Sequence, residues 1–461
     1  MTVFKAYDIR GIAGTELSSE FSERLGKAIA THLDAKTVSV VRDIRESGPE
    51  YHAAFVKGLM AAGANVIDLG VTTTGVLYRS TVDLSVDVAV AITASHNPPE
   101  YNGFKICEGT MPLGGQDLQD IRGTFEKGEF REGNGTYRLE EEYEEEYIQK
   151  IIENVGTLKR KIKIVLDCGN AVPGPLSVKT LERLGAEVIP LYCEWDNSFP
   201  NHPPDPTRQN NMVDLGKAVI EHGAEFGIGM DGDGDRLGVV DENGEFIHPD
   251  RLIGIFAKDV LSRISEVTSD DGRTILFDVK CSMAVEEAIQ DLGGIARMVR
   301  TGHTFMKTEL REHPDIPFAG EMSGHFFMND DWYGFDDSIY SAARLLKIVG
   351  DDKSPSEGGQ EFSQRFDFMP KYPTTDEGKV PLTGEREATM SAVLSAFEDM
   401  DKSTVDGIRV RYQDGWYLCR PSNTEPILVM RAEGRNKEAL ESILSDVNER
   451  IGHIVDLEKL K

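Results

Sequence analysis

IKIVLDCGNAVPGPLSVKTLERLGAEVIPL, residues 162–191, decides the fold. A β-branched apolar run, 162–167, ends on Asp167. A helical stretch, 176–184, follows and is closed by Gly185, and a second apolar run occupies 187–191. Strand, helix, glycine stop and second strand make a βαβ unit whose two strands lie parallel. The same pattern occurs twice more. Upstream it runs through 38–43 ending on Asp43, a helix at 51–62, Gly63 and a strand at 65–69. Downstream it runs through 274–278 ending on Asp278, a helix at 283–292, Gly293 and a strand at 295–299. Regular spacing of the three strand-ending aspartates predicts three successive α/β domains of related topology. Beyond residue 363 the pattern changes to short strands at 404–412, 415–419 and 427–432 and a closing helix at 437–451, which reads as a smaller α+β domain. The expected division is 1–140, 141–248, 249–362 and 363–461, and a length of 461 residues suits several cores better than one.

Two segments between these units have their own character. Residues 139–154 are strongly acidic, with Tyr143, Tyr147, Ile148 and Ile151 at helical spacing, so they predict a helix with a solvated charged face leading into the second domain. Residues 350–364 are rich in Gly, Ser, Asp and Glu and contain Pro355, which predicts a hinge.

Composition removes several classes of function. The net charge of −29 leaves no basic excess for nucleic acid. No run of about 18 apolar residues is present to span a membrane. The first ten residues have no signal-peptide core, so the expected location is the cytoplasm. The five cysteines, 107, 168, 193, 281 and 419, are scattered without a CxxC pair, which argues against disulfides and zinc and for small buried fillers. A monomer and a homodimer are equally compatible with the chain.

Four short segments carry chemistry. Thr93-Ala94-Ser95-His96-Asn97-Pro98-Pro99 follows an alternating strand at 86–92, and its prolines forbid a helix, so Ser95 is held on a rigid loop at a strand end. Phosphorylated, such a serine is a phosphoryl donor, with His96 and Lys105 supplying charge or proton transfer. A plain turn is the competing reading. Asp231-Gly232-Asp233-Gly234-Asp235-Arg236 lies between strands at 226–230 and 237–240. Three carboxylates so close repel one another unless a cation joins them, and magnesium suits a few carboxylates plus a phosphate oxygen. An EF-hand places Glu242 at position 12, but Arg236 stands where the calcium loop needs Gly; a solvated acidic turn is the other alternative. Gly320-Glu321-Met322-Ser323-Gly324-His325 offers acceptors and donors for sugar hydroxyls, with a buried structural histidine as its bland reading. Arg420-Pro421-Ser422-Asn423-Thr424-Glu425-Pro426 offers a planar fork and several donors for a phosphate dianion, or is simply a hairpin turn.

Together with the opening Lys5-Ala6-Tyr7-Asp8-Ile9-Arg10-Gly11, these motifs resemble the α-D-phosphohexomutase superfamily, in its phosphomannomutase/phosphoglucomutase group, over nearly the whole chain. The resemblance implies a heart-shaped, four-domain architecture: three related α/β mixed-sheet domains and a C-terminal α+β domain similar to the TATA-binding-protein fold. It implies interconversion of hexose 1-phosphate and hexose 6-phosphate through phospho-Ser95, with Mg2+ as cofactor and hexose 1,6-bisphosphate as intermediate and activator. By the same resemblance Ser95, Arg10, His96, Lys105 and His325 take part in catalysis. Ser95, Asp231, Asp233 and Asp235 bind the metal. Tyr7, Arg236, Lys280, His303, Glu321, Ser323, Arg420, Ser422, Asn423 and Thr424 bind substrate. Sugar phosphates are the implied partners. Met322 favours glucose and mannose over glucosamine, and Pro421 and Glu425 stand at phosphate-loop positions that vary within the group, Glu425 adding a negative charge beside the phosphate site. A phosphoglucosamine mutase and a sugar phosphatase are the alternative activities.

Overall fold

The computed structural model describes residues 3–264, 269–382, 384–422 and 427–457. Four sheets succeed one another along the chain. The three βαβ units form the centres of the first three. Strand Thr37–Arg42 pairs parallel with Asn65–Val71, Lys163–Asp167 with Glu187–Leu191, and Thr274–Asp278 with Ile295–Val299. The intervening helices are Gly48–Ala61, Gly174–Leu184 and Met283–Asp291.

On its other side each leading strand is parallel to a third, Val88–Ile92, Phe226–Met230 or Phe318–Gly320. That third strand turns back into an antiparallel fourth, Tyr101–Glu108, Leu237–Val240 or Phe326–Met328. The repeat therefore extends beyond what the βαβ pattern shows: four strands share one order and one set of directions in all three units. The first sheet adds Ile9–Ile12 and Met111–Pro112 beside Tyr101–Glu108, and Tyr137–Leu139 beside Asn65–Val71; the second adds Phe246–Ile247. The loop joining third and fourth strands leaves the carboxyl end of a parallel strand, where open α/β sheets gather ligands. In the three units these loops carry Ser95, the aspartate triplet and Glu321–His325.

The fourth sheet is antiparallel, ordered Gly378–Pro381, Ile427–Gly434, Gly415–Pro421, Ile408–Tyr412 and Lys402–Ser403. Helices Arg386–Ala396 and Lys437–Ile451 pack on it. Its apolar core is its own, built from residues such as Val393, Phe397, Tyr417, Met430 and Val447. One continuous core instead joins the first three units through helices Thr74–Asp83, Tyr143–Val155, Pro249–Arg263 and Ser338–Gly350. Tyr143, Tyr147, Ile148 and Ile151 are buried there while the glutamates of Tyr143–Val155 face outward, as the acidic periodic stretch predicts.

The expected hinge at 350–364 is corrected. Polar composition hides an anchored segment: Ser354 and Glu357 close a capping box, and Phe362 stacks on Phe226 with ring centroids 4.3 Å apart. Ser363 donates to Glu242 from its backbone N–H at 2.9 Å, which also disposes of Glu242 as a calcium ligand. Phe362, Phe366 and Met369 belong to the shared core, and Arg251 donates to the carbonyls of Phe366, Met369 and Pro370. The chain meets the fourth unit over residues 372–375: the Tyr372 hydroxyl accepts from Arg435, the Pro373 carbonyl from Gly434, and Thr374 and Thr375 bond Ala432. The packing boundary thus falls near residues 370–373, later than the expected break after 362.

Between the third and fourth units a small apolar cluster, Val279 with Trp416 and Leu418, is ringed by polar contacts. Arg409 donates to the Val279 carbonyl at 2.8 Å and lies 4.0 Å over the Trp416 ring. Arg431 donates to the Lys280 carbonyl at 2.6 Å and touches the sulfur of Met322. Glu433 accepts from Met283 N and from the Trp416 indole, both at 2.8 Å.

Truncation of Phe362 tests the anchored reading. Phe362→Ala removes a stacked, buried ring and is expected to cost about 3–5 kcal/mol, seen as an early unfolding transition in denaturant. A wild-type transition would restore the segment as a free linker.

Candidate active site

Ser95 sits at a left-handed backbone position, φ +50°, a conformation costing a non-glycine residue on the order of 1–3 kcal/mol. A buried arginine outside every motif considered above holds it there. Arg45, 0% exposed, donates to the carbonyls of Ser95 and Asn97 at 2.7 Å, of Pro98 at 2.6 Å and of Tyr101 at 3.0 Å. Its charge is balanced by Asp43, 3.0 Å away, which also accepts from the Thr93 hydroxyl at 2.7 Å. Asp43 is the aspartate that ends the leading strand of the first unit. Its counterpart in the third unit, Asp278, accepts from Met322 N at 3.0 Å and from the Thr301 hydroxyl at 2.7 Å. In both units the strand-ending carboxylate anchors the loop that carries the chemistry. The signal for Arg45 was its place two residues beyond Asp43, but its partners are about fifty residues away in sequence.

The aspartate loop packs directly against Ser95. Gly232 has no alternative there, because a Cβ would lie 2.1 Å from the Ser95 carbonyl oxygen. Asp231 turns the loop on itself, one oxygen accepting from the backbone N–H groups of Gly234, Asp235 and Arg236 at 3.0–3.1 Å. Its other oxygen accepts from the Ser95 hydroxyl at 2.7 Å. Two helix N-termini from other units seize the same loop from outside. Thr74 N donates to the Asp233 carbonyl at 3.0 Å, and Ser338 donates to the Gly234 carbonyl through N at 3.1 Å and Oγ at 2.8 Å. The positive ends of Thr74–Asp83 and Ser338–Gly350 therefore point at the acidic cluster and favour its charge.

Asp231, Asp233 and Asp235 are buried, with one ligand atom from each inside a 4.8 Å circle. Lys105 lies between Asp233, at 2.7 Å, and Asp235. One ammonium does not balance three carboxylates. Burial, then Asp235 and Asp233, push the Asp231 carboxyl well above its ordinary range. Asp233 Oδ1 is buried with no hydrogen-bond partner among the described residues. An all-oxygen donor set with an orphaned oxygen fits a hard divalent cation.

Above this cluster opens a cavity of about 650 Å³. Its wall brings together Tyr7, Arg10, Ser95, His96, Lys105, Arg236, His303, Glu321, Ser323 and His325 from three units. Sequence reasoning missed four further wall residues that matter for charge and shape: Lys5, Asp8, Asn97 and, from the fourth unit, Lys379. Arg10 is steered by Asn97, 2.6 Å from its guanidinium, and by Asp8. Arg236 donates to His325 Nε2 at 3.3 Å.

His325 is bracketed by Glu321 on Nδ1 at 2.8 Å and Asp235 on Nε2 at 3.3 Å. Burial pulls its pKa down, but Asp235 and Glu321 more than offset this and lift it to about 9. Burial would raise Glu321, yet the bond to His325 and that from Gly302 N, at 2.5 Å, bring it to about 2. His96 is driven the opposite way from His325, well below the ordinary imidazole value, by burial and then by Arg236.

Three expected substrate contacts stand outside this wall. Lys280 faces Glu377 at 3.5 Å, Arg420 is paired with Asp406 at 2.7 Å, and Ser422, two residues after Arg420, is buried. Arg420 still acts electrostatically on Tyr7 of the cavity wall and on Lys280. Asn423, Thr424 and Glu425 lie outside the described residues.

Comparison with known proteins agrees over the full length. The chain matches the descriptions "Phosphoglucomutase/phosphomannomutase, alpha/beta/alpha domain I", "II" and "III" over residues 1–132, 145–244 and 248–372, and the C-terminal domain of the same family over 377–450. It is 40% identical over 451 residues to the phosphomannomutase/phosphoglucomutase of Pseudomonas aeruginosa PAO1, covering 96% of this chain and 94% of the relative. To the phosphoglucomutase of Neisseria gonorrhoeae it is 40% identical over 453 residues, covering 96% and 95%. The solved structure of a phosphoglucomutase/phosphomannomutase family protein from Burkholderia thailandensis superposes with a TM-score of 0.90 at 36% identity, covering 98% and 97%. With an aspartate cluster suited to a divalent metal beneath a cationic sugar-sized cavity, and kinship across all four units, this chain belongs to the phosphoglucomutase/phosphomannomutase family and is a hexose phosphate mutase.

Proposed function

We propose that the enzyme moves a phosphoryl group between the 1- and 6-positions of glucose and mannose phosphates, with phospho-Ser95 as donor and hexose 1,6-bisphosphate as the intermediate. The observation that carries this reading is the 2.7 Å contact between the Ser95 hydroxyl and Asp231, at the floor of the cavity. The names of the Pseudomonas and Neisseria relatives support glucose and mannose as the sugars.

Asp231, Asp233 and Asp235 would hold Mg2+ together with an oxygen on Ser95. Bound there, the ion neutralises charge on the transferring phosphoryl group. Lys105, already wedged among the carboxylates, and Arg236 add fixed positive charge beside Ser95. Glu321 and Ser323, joined at 3.1 Å, present acceptor and hydroxyl to the sugar. Arg10, held beside the Ser95 loop by Asn97, and Lys5 and Lys379 add positive charge to the cavity wall, and Arg420 with Ser422 would close on the phosphate not being transferred.

In the forward transfer a free sugar hydroxyl attacks the phosphorus and the Ser95 oxygen leaves. The bisphosphate then turns end for end and returns its other phosphoryl group to Ser95. A turn inside about 650 Å³ needs the fourth unit to loosen. The separate core of that unit, joined to the third by only a small apolar cluster and polar contacts among the described residues, supports such loosening, with residues 370–377 as the flexing segment.

Ser95→Ala is expected to lower mutase activity by several orders of magnitude in a coupled assay with glucose 1-phosphate and mannose 1-phosphate; near wild-type turnover rejects the phosphoserine. Glucosamine 1-phosphate as the best substrate would reassign the sugar. Steady release of inorganic phosphate without need of a bisphosphate primer would make the enzyme a phosphatase.

Asp233→Asn should remove most activity and weaken magnesium binding in calorimetry, and full activity in EDTA would contradict the metal assignment. Arg45→Met, which touches neither sugar nor metal, should lower kcat about 10²-fold by releasing the Ser95 loop, with far-UV circular dichroism unchanged. Wild-type kcat would show that the loop holds its shape alone.

A further inference from the structure

His303 opens helix His303–Glu312 and lies in the cavity wall. Its Nδ1 stands 3.3 Å from Oδ2 of Asp336, a carboxylate that is 0% exposed and appears in none of the motifs. Both atoms are buried without a hydrogen bond among the described residues, so the 3.3 Å approach makes each a candidate partner for the other. The remaining oxygen of Asp336 is taken by Lys307 at 2.8 Å, one helical turn after His303. The Asp336 backbone is pinned by a bridge to Phe327. Its neighbour Asp337 caps helix Ser338–Gly350 and accepts from Trp332 and Tyr147. Asp336 therefore cannot turn away from the imidazole without breaking the loop that carries it.

We propose that Asp336 is a positioning residue: it fixes the hydrogen of His303 on Nδ1 and so leaves the Nε2 lone pair to accept the proton of the sugar hydroxyl that attacks phospho-Ser95. This rests on the phosphoserine reading and adds the proton's path to it. As the sugar oxygen–phosphorus bond forms, the hydroxyl proton passes to His303 Nε2. The bond from phosphorus to the Ser95 oxygen breaks with its electron pair on that oxygen. Cavity water relays the proton from His303 to the departing oxygen, leaving neutral imidazole and a serine hydroxyl. The return transfer runs the same steps in reverse, so one base serves both hydroxyls after the bisphosphate has turned.

The two cavity histidines of the third unit are thereby divided in role. Their rings are 5.5 Å apart, but His325 is engaged on both nitrogens, Nδ1 by Glu321 and Nε2 by the donating Arg236, which leaves no free lone pair to offer. His303 has one carboxylate, shared with an ammonium, and sits at a helix N-terminus, where positive charge is disfavoured. Burial, then Lys307, lower its pKa and keep the imidazole neutral. Fixing a neutral histidine's tautomer through its far nitrogen is a general use of a buried carboxylate.

The test is long-range 15N–1H NMR on the wild-type enzyme labelled at histidine, with the His303 signal identified by its loss in His303→Gln. The expected spectrum shows protonated Nδ1 and bare Nε2; a proton on Nε2 overturns the proposal. Asp336→Asn is expected to change that tautomer and to lower kcat about 10- to 100-fold, with KM unchanged. Normal kcat and an unaltered spectrum would reduce Asp336 to a partner of Lys307. Because Asp336→Asn strands a buried ammonium, Asp336→Asn/Lys307→Met is made beside it, and the wild-type spectrum decides if neither folds. Intact mass separates the two readings: Ser95 that never carries phosphate sinks the phosphoserine, whereas phosphorylated Ser95 beside an Nε2-protonated His303 sinks only the dyad.

Discussion

Three carboxylates crowded into a buried loop would drive themselves apart, and much of the molecule is arranged to prevent it. Asp231 spends one oxygen on three consecutive backbone N–H groups. Lys105 arrives from the first sheet to lie between Asp233 and Asp235. Helices from the first and third units end with their amide poles on the loop's carbonyls. Even so, an orphaned carboxylate oxygen is left over. That surplus is the physical reason for a metal, and it makes the cluster a meeting point of three units and not a property of one.

Meeting there is a consequence of repetition. One four-strand motif is used three times, and in each copy the chemistry sits in the same connection at the carboxyl end of the third strand. The same loop position carries Ser95 in the first copy, the aspartate triplet in the second and Glu321–His325 in the third. Asp43 and Asp278 perform the same anchoring.

Much of this is legible in the chain. The three parallel strand pairs fall where alternating apolar runs and glycine stops put them, because local periodicity and helix termination govern those elements. The closing helix Lys437–Ile451 coincides with its expected limits. Motif spacing likewise finds Ser95 and the aspartates. What stays hidden depends on distance in sequence. Arg45 looks like any surface arginine until its carbonyl partners fold over it. Asp336 is one acid among 79 acidic residues until His303 and Lys307 arrive from another element. Residues 350–364 mislead for the complementary reason: their polar composition reads as freedom, but Phe362 alone commits the stretch to the core.

The chain's net charge of −29 gives the cationic lining of the cavity a kinetic meaning. A doubly charged sugar phosphate far from the surface feels mostly the excess of carboxylates and is repelled; only close to the cavity do Lys5, Arg10 and Lys379 of its wall take over. The screening length in physiological salt is about 8 Å, short enough to silence the distant field and long enough to spare contacts at the wall. Added salt is therefore expected to hasten capture of the anion instead of slowing it, the reverse of electrostatic steering.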